Sequence, residues 1–124
     1  MTTEKEHEDL NLLFSFAGRI NRGEFWFGML VVCFAHFANF VLSVVVLKSA
    51  LAVILFEIPV WWMLLAVCTK RLHDLDMPVE ALIVVIVIFP LSVLILGLFE
   101  GTKGENRFGA PLSAERSSGL SKPQ

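Results

Sequence analysis

Three long apolar blocks, separated by short polar segments, dominate the middle of the chain. They cover residues 25–47, 50–68 and 79–99. Each contains about 20 residues, and a helix of that length rises about 30 Å, which matches the hydrocarbon core of a bilayer. The pattern therefore predicts an all-α membrane protein, built as a bundle of three transmembrane helices within residues 24–100.

A short amphipathic helix is predicted before the first block, within the polar segment 1–23. Leu10, Leu13, Phe14 and Ala17 recur at helical spacing. A helix with one apolar face of this kind lies in the interface between lipid and water. We therefore expect an interfacial helix that leads into the first crossing.

Caps and prolines define the limits of the predicted spans. Asn21 and Glu24 have the spacing of a capping box, which starts the first span. Pro59 and Pro90 lie inside the second and third spans, where neighbouring helices can satisfy the carbonyl groups that proline leaves free. A chain break at Glu57 is the alternative for the second block, but it leaves a remainder too short to cross.

The segment 101–124 changes character, with a glycine-rich turn followed by a serine-rich tail that we expect to be disordered. The turn contains Gly101, Gly104, Asn106, Arg107 and Gly109. It lacks the spacing of a phosphate-binding P-loop. It is predicted to pack against the membrane surface, with its asparagine and arginine holding it to a helix end.

Composition agrees with a membrane protein, because 56% of the residues are hydrophobic and 18% are charged. A soluble domain has about 25% charged residues. The net charge is −2 and the basic residues are scattered, which argues against nucleic acid as a partner. Cys33 and Cys68 fall at different depths of different spans, so free thiols are predicted. Nothing in the sequence calls for a metal or another cofactor.

The basic residues near the spans favour a cytoplasmic N-terminus, because positive charge is retained on the cytoplasmic side. With three crossings the C-terminus would then be external. Four cations fall on the N-terminal side and three on the other: Arg19, Arg22, Lys70 and Arg71 against Lys48, Lys103 and Arg107.

Three motifs at the span boundaries resemble the YhaH-like bacterial inner-membrane proteins, the family of domain of unknown function 805. The motifs are FAGRINRGEFW at 16–26, KRLHD at 70–74 and GTKGENRFG at 101–109. Lys70 stands where the family has arginine, and residues 77–80 lack the Ser-Gly-Trp-like segment that follows in the family. The resemblance implies a multi-pass protein of the bacterial inner membrane and carries no established activity.

Five residues of these motifs, together with Asp74, form the first candidate site. They are Arg19, Arg22, Lys70, Arg71 and His73. One interpretation is a site for anionic lipid headgroups or an acidic partner. The other is that they anchor the helices at the interface, with their apolar stems along the lipid.

The adjacent pair His73 and Asp74 raises a catalytic alternative, in which the carboxylate orients the imidazole as a general base. Neighbouring residues on a helix point about 100° apart and do not face each other. Capping of a helix C-terminus by His73 is the competing interpretation.

The second candidate site lies inside the predicted spans. His36 and Asn39 share one face of the first helix, about 16 Å into the membrane, and Glu57 lies about 10 Å from the opposite end. In a core of about 30 Å these depths nearly coincide, and Ser92 reaches a similar level. We expect a polar cluster that acts as interhelical hydrogen-bonding groups, as a proton or ion relay, or as a contact with another subunit.

The sequence as a whole favours a non-enzymatic membrane protein that binds anionic lipid or a protein partner, either a second copy or another membrane protein. A small oligomeric transporter, channel or pore-forming subunit is the alternative. A membrane enzyme that uses His73 and Asp74 is the third hypothesis.

Overall fold

The computed structural model describes residues 10–111 together with His7, and the structural statements below concern those residues. Their regular structure is helical. Residues 10–14 form a short helical segment. The longer elements are α1 (Arg22–Phe40), which continues as a π-helix (Val41–Val46), then α2 (Ala50–Asp74), α3 (Ala81–Val87) and α4 (Leu91–Leu98). The predicted serine-rich tail lies outside the described residues.

The first long helix begins at the predicted capping box. The Asn21 side chain accepts from the backbone N–H of Glu24, and the Glu24 carboxylate accepts from the backbone N–H of Asn21, both at 2.9 Å. These bonds satisfy two N–H groups that a helix start leaves without partners. The helix then runs through the π-helical turns without interruption from Arg22 to Val46.

The second long helix starts at Ser49, whose hydroxyl accepts from the N–H of Ala52. It continues across Pro59 and ends at Asp74, beyond the predicted span end at residue 68. The polar segment 69–78, which separates the second and third apolar blocks, therefore begins with the last turns of α2. The N-terminal segment packs on this helix, because Trp62 donates to the Phe14 carbonyl at 3.1 Å.

Both long helices have the length and apolar composition needed to cross a membrane. They run antiparallel, and Phe25, Met29 and Val32 of α1 join Leu64 and Val67 of α2 in one core. Only 22% and 33% of the residues in their most apolar windows are buried, so most of each helix is left to face its surroundings.

The third apolar block does not form one membrane-length helix, so the predicted bundle of three transmembrane helices is not confirmed. It divides into α3 and α4 at a cis Phe89–Pro90 bond. Proline has no N–H to donate and its ring crowds the preceding helical turn. α2 continues through Pro59 nevertheless, whereas the third block is interrupted between Val87 and Leu91. Each half is about 10–12 Å long.

The two short helices form a hairpin that returns to the end of α2 from which it started. Thr102, which follows α4, donates its N–H to the carbonyl of Asp74 at 2.8 Å. Arg71 donates to the carbonyl of Leu96 at 2.8 Å. Segments 75–80 and 99–109 therefore lie at the same end of the long helices. The architecture is two long helices plus one helical hairpin.

Ser92 closes the hairpin at its tip. Its buried hydroxyl donates to the carbonyl of Val85 across the proline break, at 2.8 Å. The bond gives a partner to a backbone acceptor in the interrupted helix, which an apolar environment requires.

The returning arm of the hairpin is held against the start of α1. Trp26 donates its indole N–H to the carbonyl of Gly97 at 3.2 Å. A Cβ atom at Gly97 would lie 2.3 Å from Cζ2 of the same indole. Glycine is therefore needed here for close approach.

We predict that Gly97→Ala destabilises the protein by about 1–3 kcal/mol, because the new methyl group overpacks this contact. In a Trp26→Ala background the same substitution has space, so its cost falls close to zero. Equilibrium unfolding of the four proteins in detergent measures the coupling. Equal costs in both backgrounds would show that the indole is not the group that excludes a side chain.

Candidate functional site

Three segments far apart in the chain meet at one end of the molecule, the end where α2 terminates. They are the residues before α1, the last turn of α2 and the turn after α4. Arg19, Arg71 and Asp74 lie at the centre, with 1%, 0% and 5% of their surfaces exposed. We refer to these three residues as the arginine–aspartate cluster.

Arg19 connects Asp74 to the glycine-rich turn. Its Nε and Nη2 atoms donate to Oδ1 of Asp74 at 3.2 and 3.0 Å. Its Nη1 atom donates to the carbonyls of Gly104 and Gly109 at 2.7 and 2.9 Å. Nη2 also donates to the carbonyl of Thr102 at 2.7 Å. The turn is thus organised around one guanidinium group.

Arg71 holds the other oxygen of the same carboxylate. Its Nη1 atom donates to Oδ2 of Asp74 and, at 3.3 Å, to the carbonyl of Ile20. Its Nε and Nη2 atoms donate to the carbonyls of Leu96 and Phe99. Leu96 is in the last turn of α4 and Phe99 is the C-cap residue that follows it, where helix geometry leaves acceptors without intrahelical partners.

The cluster contains two cations and one anion, so its stability depends on backbone acceptors as well as on Asp74. Removing an ion from water costs several kcal/mol unless hydrogen bonds and counter-charges replace the lost hydration. Gly101 permits the close packing, because a Cβ atom there would lie 1.8 Å from Oδ2 of Asp74.

Most of the basic residues predicted to bind lipid headgroups are buried. Arg19 and Arg71 direct their donors inward, and Lys70 is 2% exposed and donates to the carbonyls of Asn11 and Leu12. Arg22 differs, since half of its side chain is exposed and it pairs with Glu100 at 3.4 Å. Of the four basic residues in the predicted set, Arg22 alone presents its charge outward.

His73 lies beside the cluster but does not contact the carboxylate of Asp74. Its Nδ1 atom is 3.2 Å from the carbonyl of Gly18, and its ring stacks on Phe108 with centroids 4.0 Å apart. Because both carboxylate oxygens of Asp74 are engaged by arginine, the orienting contact that the catalytic hypothesis requires is absent among the described residues.

The glycine-rich turn is fastened to the end of α2 by its own side chains. Asn106 donates to the carbonyl of His73 and to the Thr102 hydroxyl, each at 2.8 Å. Arg107 forms an exposed ion pair with Asp76 at 3.1 Å. Thr102 was not among the predicted site residues, although it lies inside the third motif. Its hydroxyl donates to the carbonyl of Asp74 at 2.9 Å.

A second polar group lies between the two long helices, well away from this end. His36 Nδ1 is 2.9 Å from Oε2 and 3.1 Å from Oε1 of Glu57. The side-chain amide of Asn39 donates to Oε1 of Glu57 at 2.6 Å, and the Ser43 hydroxyl donates to Oδ1 of Asn39 at 2.9 Å. The structure thus brings together three of the four residues predicted for this site.

Ser92, the fourth, belongs to the hairpin tip and does not join His36 and Glu57. Trp61 was not predicted to belong to this cluster, but its ring meets the His36 ring edge-on, with centroids 6.2 Å apart. Its spacing of four residues from Glu57 is the signal that could have identified it. The π-helical turns after Asn39 carry no obvious sequence signal.

Comparison with known families gives one match. The family described as a protein of unknown function, DUF805, matches residues 13–110. The match covers all three motif segments and both polar clusters. No curated protein and no solved structure matches the chain.

We predict that Asp74→Asn destabilises the protein by about 3–5 kcal/mol, because it leaves two buried arginines without their anion. Asp76→Asn is the matched control. It removes an exposed pair and should cost at most about 1 kcal/mol. Denaturant unfolding in detergent checks both values. Similar costs for the two substitutions would contradict a dominant role for the buried carboxylate.

Proposed function

This chain belongs to the DUF805 family, and we propose that it is a bacterial inner-membrane protein that acts by binding another membrane component rather than by catalysis. In this proposal α1 and α2 cross the bilayer, and the α3–α4 hairpin enters and leaves from one side. Large apolar side chains such as Phe34, Ile54 and Val87 are 63–75% exposed, as lipid-facing residues would be. A helical hairpin is tolerated at membrane depth where it packs on protein.

The orientation we propose has the arginine–aspartate cluster on the cytoplasmic side, together with both the N-terminal segment and the glycine-rich turn. The hairpin returns the chain to the side from which it started. The proposal therefore places the glycine-rich turn on the cytoplasmic side, and not outside as expected from three crossings. Support comes from the positive-inside rule. The described cations near this end outnumber the single one at the other end: Arg19, Arg22, Lys70, Arg71, Lys103 and Arg107 against Lys48.

The observation that carries the binding proposal is a polar pair on an otherwise apolar surface. The side chains of His36 and Glu57 are 39% and 22% exposed. An ionisable group at mid-membrane costs on the order of 3 kcal/mol and normally faces protein or water. Exposing such a pair to lipid is therefore energetically unfavourable. A partner that covers the pair removes this cost.

The pair itself is suited to an apolar setting. His36 Nδ1 lies 3.1 Å from Oε1 of Glu57, so the imidazole and the carboxylate are partners within one chain. Asn39 adds a donor to the carboxylate at 2.6 Å. The protomer therefore holds the pair internally, while the exposed edge of the imidazole remains available to a partner.

The transporter or channel alternative has weaker support. A proton relay needs consecutive groups that both accept and release protons, and Asn39 separates Glu57 from Ser43 in the hydrogen-bonded chain. An amide side chain offers N–H donors and a carbonyl acceptor but does not titrate. Two long helices and a short hairpin are also too thin to enclose a pore alone.

Anionic lipid headgroups are a second candidate ligand, favoured by the exposed cations at the proposed cytoplasmic end. Arg22 and Arg107 have side chains that are 50% and 53% exposed, and Lys103 is exposed beside them. Cations near a membrane surface attract anionic lipids by about 1 kcal/mol each.

We predict that a photoreactive residue at Phe40 captures protein in native membranes, because this position is one helical turn from His36 on the same face. The same residue at Phe34, which is 71% exposed on a different face, should react with lipid only. Immunoblots of irradiated membranes reveal the captured species. Lipid adducts alone at both positions would refute partner binding through this surface.

For the headgroup candidate, we expect short-chain phosphatidylglycerol to raise the melting temperature of the detergent-solubilised protein more than phosphatidylcholine does. Arg22→Ala and Arg107→Ala should each weaken the anionic lipid's apparent affinity about fivefold, the equivalent of about 1 kcal/mol. Lys48→Ala, at the opposite end, is the control. An unchanged response in both arginine variants would exclude the site.

A further inference from the structure

The packing of the two long helices is concentrated in the half of the molecule that contains the arginine–aspartate cluster. Every buried residue of α2 lies at Val60 or beyond, and none of residues 50–59 is buried. On α1 and its π-helical continuation the buried apolar side chains end at Val32, and the buried residues after it are the polar Asn39 and Ser43. The other described elements therefore surround the long helices along only part of their length.

The α3–α4 hairpin and the N-terminal segment both reach the same level on α2. Phe89 at the hairpin tip and Trp61 of α2 line one cavity of about 260 Å³. The adjacent Trp62 donates to the carbonyl of Phe14 at 3.1 Å. At 1.5 Å per residue, this level lies about 17 Å from the start of α2. In the proposed topology that distance falls close to the midplane, because the hydrocarbon core is about 30 Å thick.

The hairpin is apolar enough to enter the hydrocarbon core but too short to cross it. Residues 81–99 include no charged side chain. Ile83 and Val87 of α3 are 67% and 75% exposed, so this face of the hairpin takes the place of lipid. Each arm is about 10–12 Å long, and both arms extend from the cytoplasmic end. The area that the hairpin occupies is therefore confined to the cytoplasmic leaflet.

The cross-section of the protein consequently differs between the two leaflets. In the proposed topology the cytoplasmic half contains α1, α2, α3 and α4, whereas the described residues supply only the two long helices to the outer half. A helix about 10 Å wide occupies about 80 Å² of the membrane plane. The two hairpin helices thus widen the cytoplasmic half by about 160 Å², before the N-terminal segment is counted. We refer to this difference in cross-section as the taper.

We propose that the taper gives the protein a preference for curved membrane in which the cytoplasmic leaflet is convex. The convex leaflet of a bent bilayer has the larger area, so a protein that is wider in that leaflet fits with less strain on the surrounding lipids. Segments that insert into one leaflet bind membranes in a curvature-sensitive way. The inference rests on the topology given under the proposed function, but not on the identity of the partner. A partner helix that crossed the whole bilayer would add equal area to both halves and leave the taper unchanged.

The two orientations of the same protein provide a matched test. Purified protein is reconstituted in both orientations into giant vesicles of phosphatidylcholine, from which narrow tubes are pulled outward. A membrane-impermeant dye labels Lys103→Cys only in molecules with the cytoplasmic end outside, and Lys48→Cys only in molecules with the opposite orientation. The outer leaflet of a tube is the convex one. We expect the first population to be enriched at least about twofold in tubes relative to flat membrane, and the second to be depleted.

Two controls establish which molecules carry the dye. The wild-type chain should take up no dye, because Cys68 is buried and Cys33 lies within the apolar part of α1. The double variant Lys48→Cys/Lys103→Cys should carry one dye per molecule, whereas two dyes would show that both positions lie on the same side. In that case the proposed topology fails, and the curvature preference fails with it.

A pair of tryptophan variants tests whether the taper is the cause. Ile54→Trp/Ile58→Trp adds bulk to the outer half at two positions that are each 63% exposed. It should lower the difference in tube enrichment between the two orientations. Ile83→Trp/Val87→Trp adds the same side chains to the hairpin and should keep or increase that difference. Circular dichroism and size-exclusion chromatography verify that each variant is folded.

The outcomes separate this proposal from the proposed function. An equal distribution of the two orientations between tubes and flat membrane overturns the curvature preference, while the topology and the partner binding stand. Enrichment of the population labelled at position 48, or an equal loss of enrichment in both tryptophan variants, overturns it as well. The photoreactive residue at Phe40 tests partner binding separately, so failure of one proposal can be distinguished from failure of the other.

Discussion

The carboxylate of Asp74 is the contact on which the rest of the structure depends. Its two oxygens bind guanidinium groups from different parts of the chain, Arg19 before α1 and Arg71 within α2. Through their remaining donors, the arginines hold the last turn of α4 and the glycine-rich turn. One buried anion therefore fixes the relative positions of segments that short apolar helices alone could not align.

Much of the two-helix framework could be predicted because its causes are local. Asn21 and Glu24 satisfy each other's backbone N–H groups, so their spacing alone reveals the start of α1. His36 and Glu57 lie at matching distances along two antiparallel helices, and counting residues is enough to pair them. Apolar composition over enough length identifies α1 and α2 without tertiary information.

The errors have a common origin in long-range interactions. Hydropathy measures how much apolar surface a block carries, but it does not show whether the block crosses the membrane or turns back at Pro90. The direction of return depends on Arg71 donating to the carbonyls of Leu96 and Phe99 at the end of α4, which are distant in sequence. Long-range contacts also explain why Arg19, Lys70 and Arg71, which look like surface cations in the sequence, are buried. Lys70, for example, donates to the carbonyls of Asn11 and Leu12, more than 50 residues away in the chain.

The return of the hairpin to its starting side has a consequence for biogenesis. In the proposed topology, the tight turn at residues 47–49 is the only described polar connection that must be carried through the hydrocarbon core during insertion. Lys48 is its single charged residue, and a lysine at the centre of the membrane costs about 2.5–3.5 kcal/mol on insertion scales. Every other charged segment can remain on the side of synthesis. The two long helices can therefore enter the bilayer together as one unit. The arginine–aspartate cluster can assemble afterwards, so that each of its charges leaves water only when its partner is in place.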